Sequence, residues 1–375
     1  MTRTMAIPNE APAAEAVVPI TGRLLALPEG PIFHLQRADQ ADYEIGAFRQ
    51  WAGYKTLGAD TATNDLVLFQ HVLSFGPSEQ SGRTGVHGHF AHVHIVIPTS
   101  GRGVFSYDGV VTEATPGGVI VQHGGTIHDQ FEYSYAAASD AENRKTPLSV
   151  DPTPAGAEAQ SFGFLEFFVP KTVADVEIIP PEAVTPADQS TAWDHPYHAA
   201  GGRYAIQHTD APGAAYRPVA TRPDLEARDA DTWSSTGGLV ATWILRPASV
   251  AAPKDRAVSL GIAGEKGGIN VLYMLAGSAR FMRSDGEAFT MDAGDCLTCR
   301  QGTVGYPFDC SPDMRLIRFF VAARAETLRE RTPEEIERLE ALGPRIITRR
   351  EVRPAGDMRP VNFLREDARL PAQGG

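Results

Sequence analysis

From Val93 to His128 the chain alternates short apolar runs with glycine-marked breaks. Val93 to Tyr107 reads as strand, turn, strand, with Ser100-Gly101-Arg102-Gly103 as the turn. Asp108-Gly109 is a hairpin signal, and Pro116-Gly117-Gly118 marks another tight turn. The strand VIVQ follows, then His123-Gly124-Gly125 and Thr126-Ile127-His128. Short strands with turns every ten or so residues predict an antiparallel sandwich or barrel.

The pattern returns later in the chain. The string NVLYMLAGSARFMRSDG from Asn270 parallels HIVIPTSGRGVFSYDG from His94, matching Gly101 with Gly277 and Phe105 with Phe281. The string AGDCLTCRQGTVGYPF from Ala293 parallels PGGVIVQHGGTIHDQF from Pro116, matching Gly117, Gly125, Thr126 and Phe131 with Gly294, Gly302, Thr303 and Phe308. The offset is 176 residues in the first pair and 177 in the second. LEFFVP from Leu165 and IRFFVA from Ile317 share Phe167 and Phe319, and Leu66-Val67 pairs with Leu239-Val240. The repeat divides the chain into a tail and covering segment (1–60), a first barrel (61–175), a linker (176–234), a second barrel (235–325) and a C-terminal helix and tail (326–375).

Composition narrows the function classes. The 375 residues carry 34 Lys and Arg against 46 Asp and Glu, a formal charge of -12, which disfavours nucleic-acid and anionic-membrane partners. No apolar run is long enough to span a bilayer. Pro8, Glu10, Pro12 and Glu15 interrupt the first twenty residues, which read as a tail, not a signal peptide. Cys296, Cys299 and Cys310 are too few and too clustered for a disulfide framework, so a reducing cytoplasm is expected. Cys296 and Cys299 differ by three on a predicted strand, so they point to opposite faces and read as small core residues.

Six of the eleven histidines fall between positions 87 and 128: His87, His89, His92, His94, His123 and His128. Burying several imidazoles without a common partner is costly, whereas a divalent metal rewards their convergence. His87 and His89 share one face of a strand, as do His92 and His94, so parity alone does not choose between the pairs.

With its surroundings the histidine pattern resembles the cupin superfamily. His87-x-His89, His94 and Gly101 resemble its first motif, with His in the usual Glu position. Pro116-Gly117, His123, Gly125, His128 and Glu132 resemble its second motif, with His123 replacing Pro and Glu132 replacing Asn. The resemblance implies an all-β chain of two cupin (jelly-roll) barrels, with metal-ligand positions His87, His89, His94 and His128. At the matching places the second copy has Ala263, Glu265, Asn270 and Gly305, a poor transition-metal set, so that barrel reads as structural.

Other segments stay open. An insertion from Ser134 to Gln160 is polar and Pro-rich, and reads as a surface excursion, a lid or a dimer contact. Gln36–Tyr54 carries five aromatic or aliphatic residues suited to covering the first barrel, as a helix or a strand. His195 and His198 lie in the linker. Thr332-Pro333-Glu334-Glu335 predicts a capped helix ending at Leu342, stopped by Gly343-Pro344.

An all-imidazole site suits Fe(II) first, with Ni, Mn, Cu and Zn as alternatives. Its net positive charge favours a small, anionic, chelating substrate. Size and layout resemble bicupin dioxygenases such as gentisate dioxygenase and quercetinase. That implies an Fe(II) dioxygenase acting on a hydroxylated aromatic or enolizable molecule in aromatic catabolism. Asp129, Gln130 and Glu132, beside the last ligand position, are candidates for acid–base work. A non-redox isomerase or lyase, or a metal- or ligand-binding protein without turnover, are the competing classes. Bicupins often form closed assemblies, so a homo-oligomer is also expected.

Overall fold

The computed structural model describes residues 31–45, 51–76, 86–88, 91, 93–107, 110–123, 128–136, 140–144, 148–152, 160–169, 177–179, 191–193, 204–207, 215–248, 267–323, 325 and 346–349. In the N-terminal half one seven-stranded antiparallel sheet runs in the order β14 (Tyr204–Gln207), β9 (Val119–His123), β6 (Val93–Ser100), β11 (Gly163–Val169), β4 (Leu68–Ser74), β3 (Ala52–Thr56), β2 (Glu44–Ile45). A five-stranded sheet packs over it in the order β12 (Glu177–Ile179), β5 (Val86–Gly88), β10 (His128–Tyr133), β7 (Gly103–Tyr107), β8 (Val110–Ala114). The central orders β4-β11-β6-β9 and β5-β10-β7-β8 are those of a jelly roll.

The C-terminal half repeats the larger sheet. Its order is β1 (Phe33–Gln36), β21 (Cys296–Arg300), β18 (Ile269–Ala276), β22 (Arg315–Val321), β17 (Val240–Pro247), β16 (Arg222–Asp229), β15 (Arg217–Val219). The core order β17-β22-β18-β21 matches β4-β11-β6-β9 strand for strand. Opposite it, β19 (Ser278–Met282) and β20 (Ala288–Asp292) form a ribbon, bridged to Val304 and Phe308. A separate ribbon joins β13 (Thr191–Trp193) to β23 (Ile346–Arg349). The fold is all-β; α-helix among the described residues is limited to Ala59–Thr63, Asp140–Asn143 and Thr232–Ser235. The helix expected from Thr332 to Leu342 lies outside the described residues.

Strand parity explains three cores. All eight residues of β6 are buried, because each face meets apolar groups. Val96, with Ile120, Phe164, Phe105, Tyr107 and Tyr133, fills the first barrel. Val93, Ile95 and Ile97 point the other way, into a core shared with Val271, Ile317 and Phe319 of the second half. There Phe167 stacks on Phe319 with ring centroids 4.2 Å apart and planes 9° from parallel, so two residues matched by the repeat meet each other. The second barrel fills with Trp243, Leu272, Phe281, Met291 and Phe320. Cys296 belongs to the shared core and Cys299 to the second barrel's interior, on opposite faces as their spacing requires. Burial pushes both thiols up, Cys299 to about 12, so they stay protonated.

The matched turn glycines have one cause. Gly101 and Gly277 both take positive φ, 58° and 67°, and a Cβ on either would strike a serine hydroxyl, Ser134 or Ser311. Each serine Oγ accepts from a turn backbone N–H, of Arg102 or Ser278, at 2.8 Å.

Two segments exchange strands between the halves. β1 precedes the first barrel yet pairs with β21 of the second; β14 precedes the second barrel's core strands yet pairs with β9 of the first. Each covers what would otherwise be an open sheet edge. The Arg37–Asp295 ion pair at 2.7 Å pins the end of β1.

The described part of the insertion ties the halves together. Buried Arg228 of β16 donates to the carbonyls of Gly117 and Val150, at 2.8 and 2.9 Å. Asp151 accepts from Tyr216 at 2.7 Å and from Arg315 at 2.9 Å. Burial pulls the Asp151 carboxyl up. The bonds from Tyr216 and Arg315, with the charges of Arg315 and Arg228, outweigh this and hold it below the usual range.

Candidate metal centre

His94 lies on β6 of the larger sheet and His128 on β10 of the smaller one, and both are buried, 3% and 6% exposed. Their rings face each other inside the first barrel with centroids 6.1 Å apart. Imidazoles sharing one ion, each through a nitrogen at about 2.1 Å, have centroids within roughly 6.5 Å of each other. At 6.1 Å the two rings stand near that limit, wider than neighbouring ligands of one ion, and among the described residues no group of three or more His, Cys, Asp or Glu is close enough together to hold a metal. Phe168 stacks on His94 at 4.0 Å and Tyr107 on His128 at 5.9 Å, which sets the ring planes.

The other histidines are placed less fully. His87, on β5, is the register partner of His128, so the two occupy neighbouring positions on adjacent strands. His89 and His92 lie outside the described residues. His123 ends β9 as the register partner of Val93.

Sequence reasoning missed two groups at this site. Glu166, on β11, brings Oε1 to 3.5 Å from His94 Nε2, while Gln70 Nε2 donates to its Oε2 at 2.6 Å. Gln122, on β9, is the register partner of His94 and is 2% exposed. Among the described residues neither atom of its amide meets a hydrogen-bond partner. Two imidazoles, a carboxylate and the Gln122 amide thus gather in the buried interior of the first barrel, a concentration of polar groups that calls for a polar partner. A signal for Glu166 existed: it is the one charged residue in the apolar run FGFLEFFV.

The three acid–base candidates separate. Gln130 shares the face of His128 and is 3% exposed. Asp129 is buried on the opposite face of β10. An irregularity in register between Gln130 and Glu132 turns the strand, and Glu132 sits at the surface in an ion pair with Arg102 at 2.8 Å. Of these, Gln130 shares a strand face with His128, Asp129 takes the other face and Glu132 lies at the surface.

No family model matches the sequence, and no curated protein matches it. Among solved structures it is similar to a putative glyoxylate-induced protein from Pseudomonas aeruginosa, at 9% identity over 80% of this chain and 91% of that one, TM-score 0.46. It is also similar to oxalate decarboxylase from Bacillus subtilis at pH 4.6, at 11% identity over 77% of this chain and 76% of that one, TM-score 0.45. A deletion mutant of the Bacillus subtilis enzyme gives 11% identity over 77% of this chain and 76% of that one, TM-score 0.44. No helix among the described residues is long and apolar enough to cross a membrane.

Proposed function

We propose that the chain is a metal-dependent enzyme whose N-terminal barrel carries out an oxygen-dependent cleavage of a small, chelating, anionic substrate. The observation that carries this reading is the meeting of His94 and His128 from opposite sheets, with Glu166 beside them. His87, His89, His94 and His128 are the proposed holders of the ion, with Fe(II) the first candidate. When bound, that ion supplies access to dioxygen and a Lewis acid for the substrate's oxygens. Phe168 and Tyr107 keep the imidazole planes fixed. Phe105 and Phe164 pack into the apolar core of this barrel and help keep water from it. Gln122 and Gln130 offer amides to the substrate's oxygens, and Glu166 is placed to hold a proton beside His94.

Glu166 also favours a second reading. A carboxylate oxygen in the donor set suits Mn(II) and non-redox Lewis-acid chemistry, an isomerase or lyase. One experiment separates the two. Protein prepared without oxygen is loaded with Fe(II) or Mn(II) and given hydroxylated aromatics while oxygen uptake is recorded. Uptake with Fe(II) alone supports the oxygenase; turnover with Mn(II) and no uptake with either metal supports the second reading. Full metal content in both His87→Ala and His128→Ala would overturn the ligand set.

A further inference from the structure

The second barrel holds a cavity of about 180 Å³ in the place that corresponds to the histidine site. Register makes the correspondence residue by residue. In the first barrel His94 pairs with Gln122 and Phe168, and Val96 pairs with Glu166. In the second, Asn270 pairs with Cys299 and Phe320, and Leu272 pairs with Arg318. Asn270 thus stands for His94, Cys299 for Gln122, and Arg318 for Glu166. The carboxylate at this place in one barrel is a guanidinium in the other.

The guanidinium is held in a fixed orientation. Arg318 Nε donates to Asn270 Oδ1 at 2.9 Å, and its head lies 5.3 Å from the Trp243 ring. It also bonds to the Tyr306 hydroxyl. Burial lowers the pKa of Arg318 from its ordinary value, but an arginine stays charged well above neutral pH. Arg318, Asn270 and Tyr306 line the polar part of the cavity; Leu272, Phe281 and Leu316 line the apolar part. A planar fork of donors next to apolar side chains matches a carboxylate on a small apolar body. At this volume the space takes a single small acid and falls below the roughly 300–1,000 Å³ typical of sites for larger ligands.

We propose that the C-terminal barrel, which lacks the histidine set, is a binding site for a small organic carboxylate held by Arg318. The inference does not depend on the metal or the reaction of the first barrel. Its test is calorimetric titration of the intact two-barrel chain, treated with chelator, with benzoate, and with neutral benzamide as the control probe. Benzoate is expected to bind at one site and benzamide not to bind. Arg318→Met and Asn270→Asp, which remove the cation or neutralise it with a built-in carboxylate, should each weaken benzoate binding at least about tenfold. His128→Ala should leave it unchanged. The inference is overturned by absent benzoate binding, by equal binding of benzamide, or by variants of Arg318 and Asn270 that bind like the parent. Loss in His128→Ala with retention in Asn270→Asp overturns it too, by assigning the anion to the first barrel. Should Arg318→Met fail to fold, Asn270→Asp and the benzamide control decide.

Discussion

Glu166 and His71 are both polar residues inside apolar strands, and their partners give them opposite duties. Glu166 lies beside His94 and is steadied by Gln70. Glu166→Gln keeps the shape and removes the charge. It is expected to lower metal affinity or activity about 10–100-fold while the melting temperature stays close to the parent's, checked by metal titration and thermal unfolding. His71, 1% exposed, is locked between the Tyr43 hydroxyl at 2.6 Å and Thr99 Oγ1 at 3.0 Å. Burial, with Lys55 nearby, pushes its pKa down to about 3. The unfolded chain binds a proton near pH 6.5 that the folded chain refuses. Stability from this residue is therefore complete above about pH 6.5 and is lost as pH falls toward 3. In His71→Asn the acid-side slope of unfolding free energy should be shallower; equal slopes in parent and variant would refute the assignment. The clustering of four imidazoles in eight residues was legible in the sequence, and its reading as a metal signal carries over into the proposal. Glu166 was not tied to it, because 72 residues separate it from His94 and only strand pairing closes that distance.

The strands owe their faces to parity and their edges to exchange. Alternation along β6 sends His94 inward and Val93 and Ile95 outward, and that much follows from period two. Which segment covers each edge does not, since β1 and β14 reach across to the other barrel. The bond from the Arg300 N–H to the Ile32 carbonyl puts residues 32, 34 and 36 at the hydrogen-bonded positions of β1, so His34→Pro removes a ladder N–H. It is expected to cost about 1–3 kcal/mol, read as a lower urea midpoint and a greater tendency to aggregate at the freed β21 edge. The Gly101–Gly277 match was visible in the repeat, and Ser134 and Ser311 stand at its 177-residue offset; that each serine meets its turn glycine came only with the contacts. The insertion was readable as polar and Pro-rich. Its use as a tie between barrels depends on Arg228, Tyr216 and Arg315, all remote in sequence.

At the scale of the whole molecule, one duplicated barrel packs against the other through the outer faces of their larger sheets. Phe69, Phe167, Tyr273 and Phe319 form the aromatic centre of that contact. Phe319→Ala is expected to destabilise the protein by about 3–5 kcal/mol. In a double-mutant cycle with Phe167→Ala the two losses should fall short of additive, because each ring is the other's partner. Additive losses in chemical denaturation would mean that the rings contribute separately. A shared apolar core of this kind predicts one cooperative unfolding transition for both barrels.

The sequence by itself determined the all-β class, the duplication, the opposite faces of Cys296 and Cys299, and the placement of the histidines in one copy. All of these are local or periodic properties, and period two and turn chemistry act over a few residues. Tertiary structure decided the rest: the meeting of His94 with His128, the arrival of Glu166, the strand exchange, and the buried arginine in the second barrel. Each depends on which strand lies beside which. That choice is made by packing across dozens of residues. The opposite charges of Glu166 and Arg318 already stand at matching places in LEFFVP and IRFFVA, and strand pairing sets each beside its barrel's counterpart of His94.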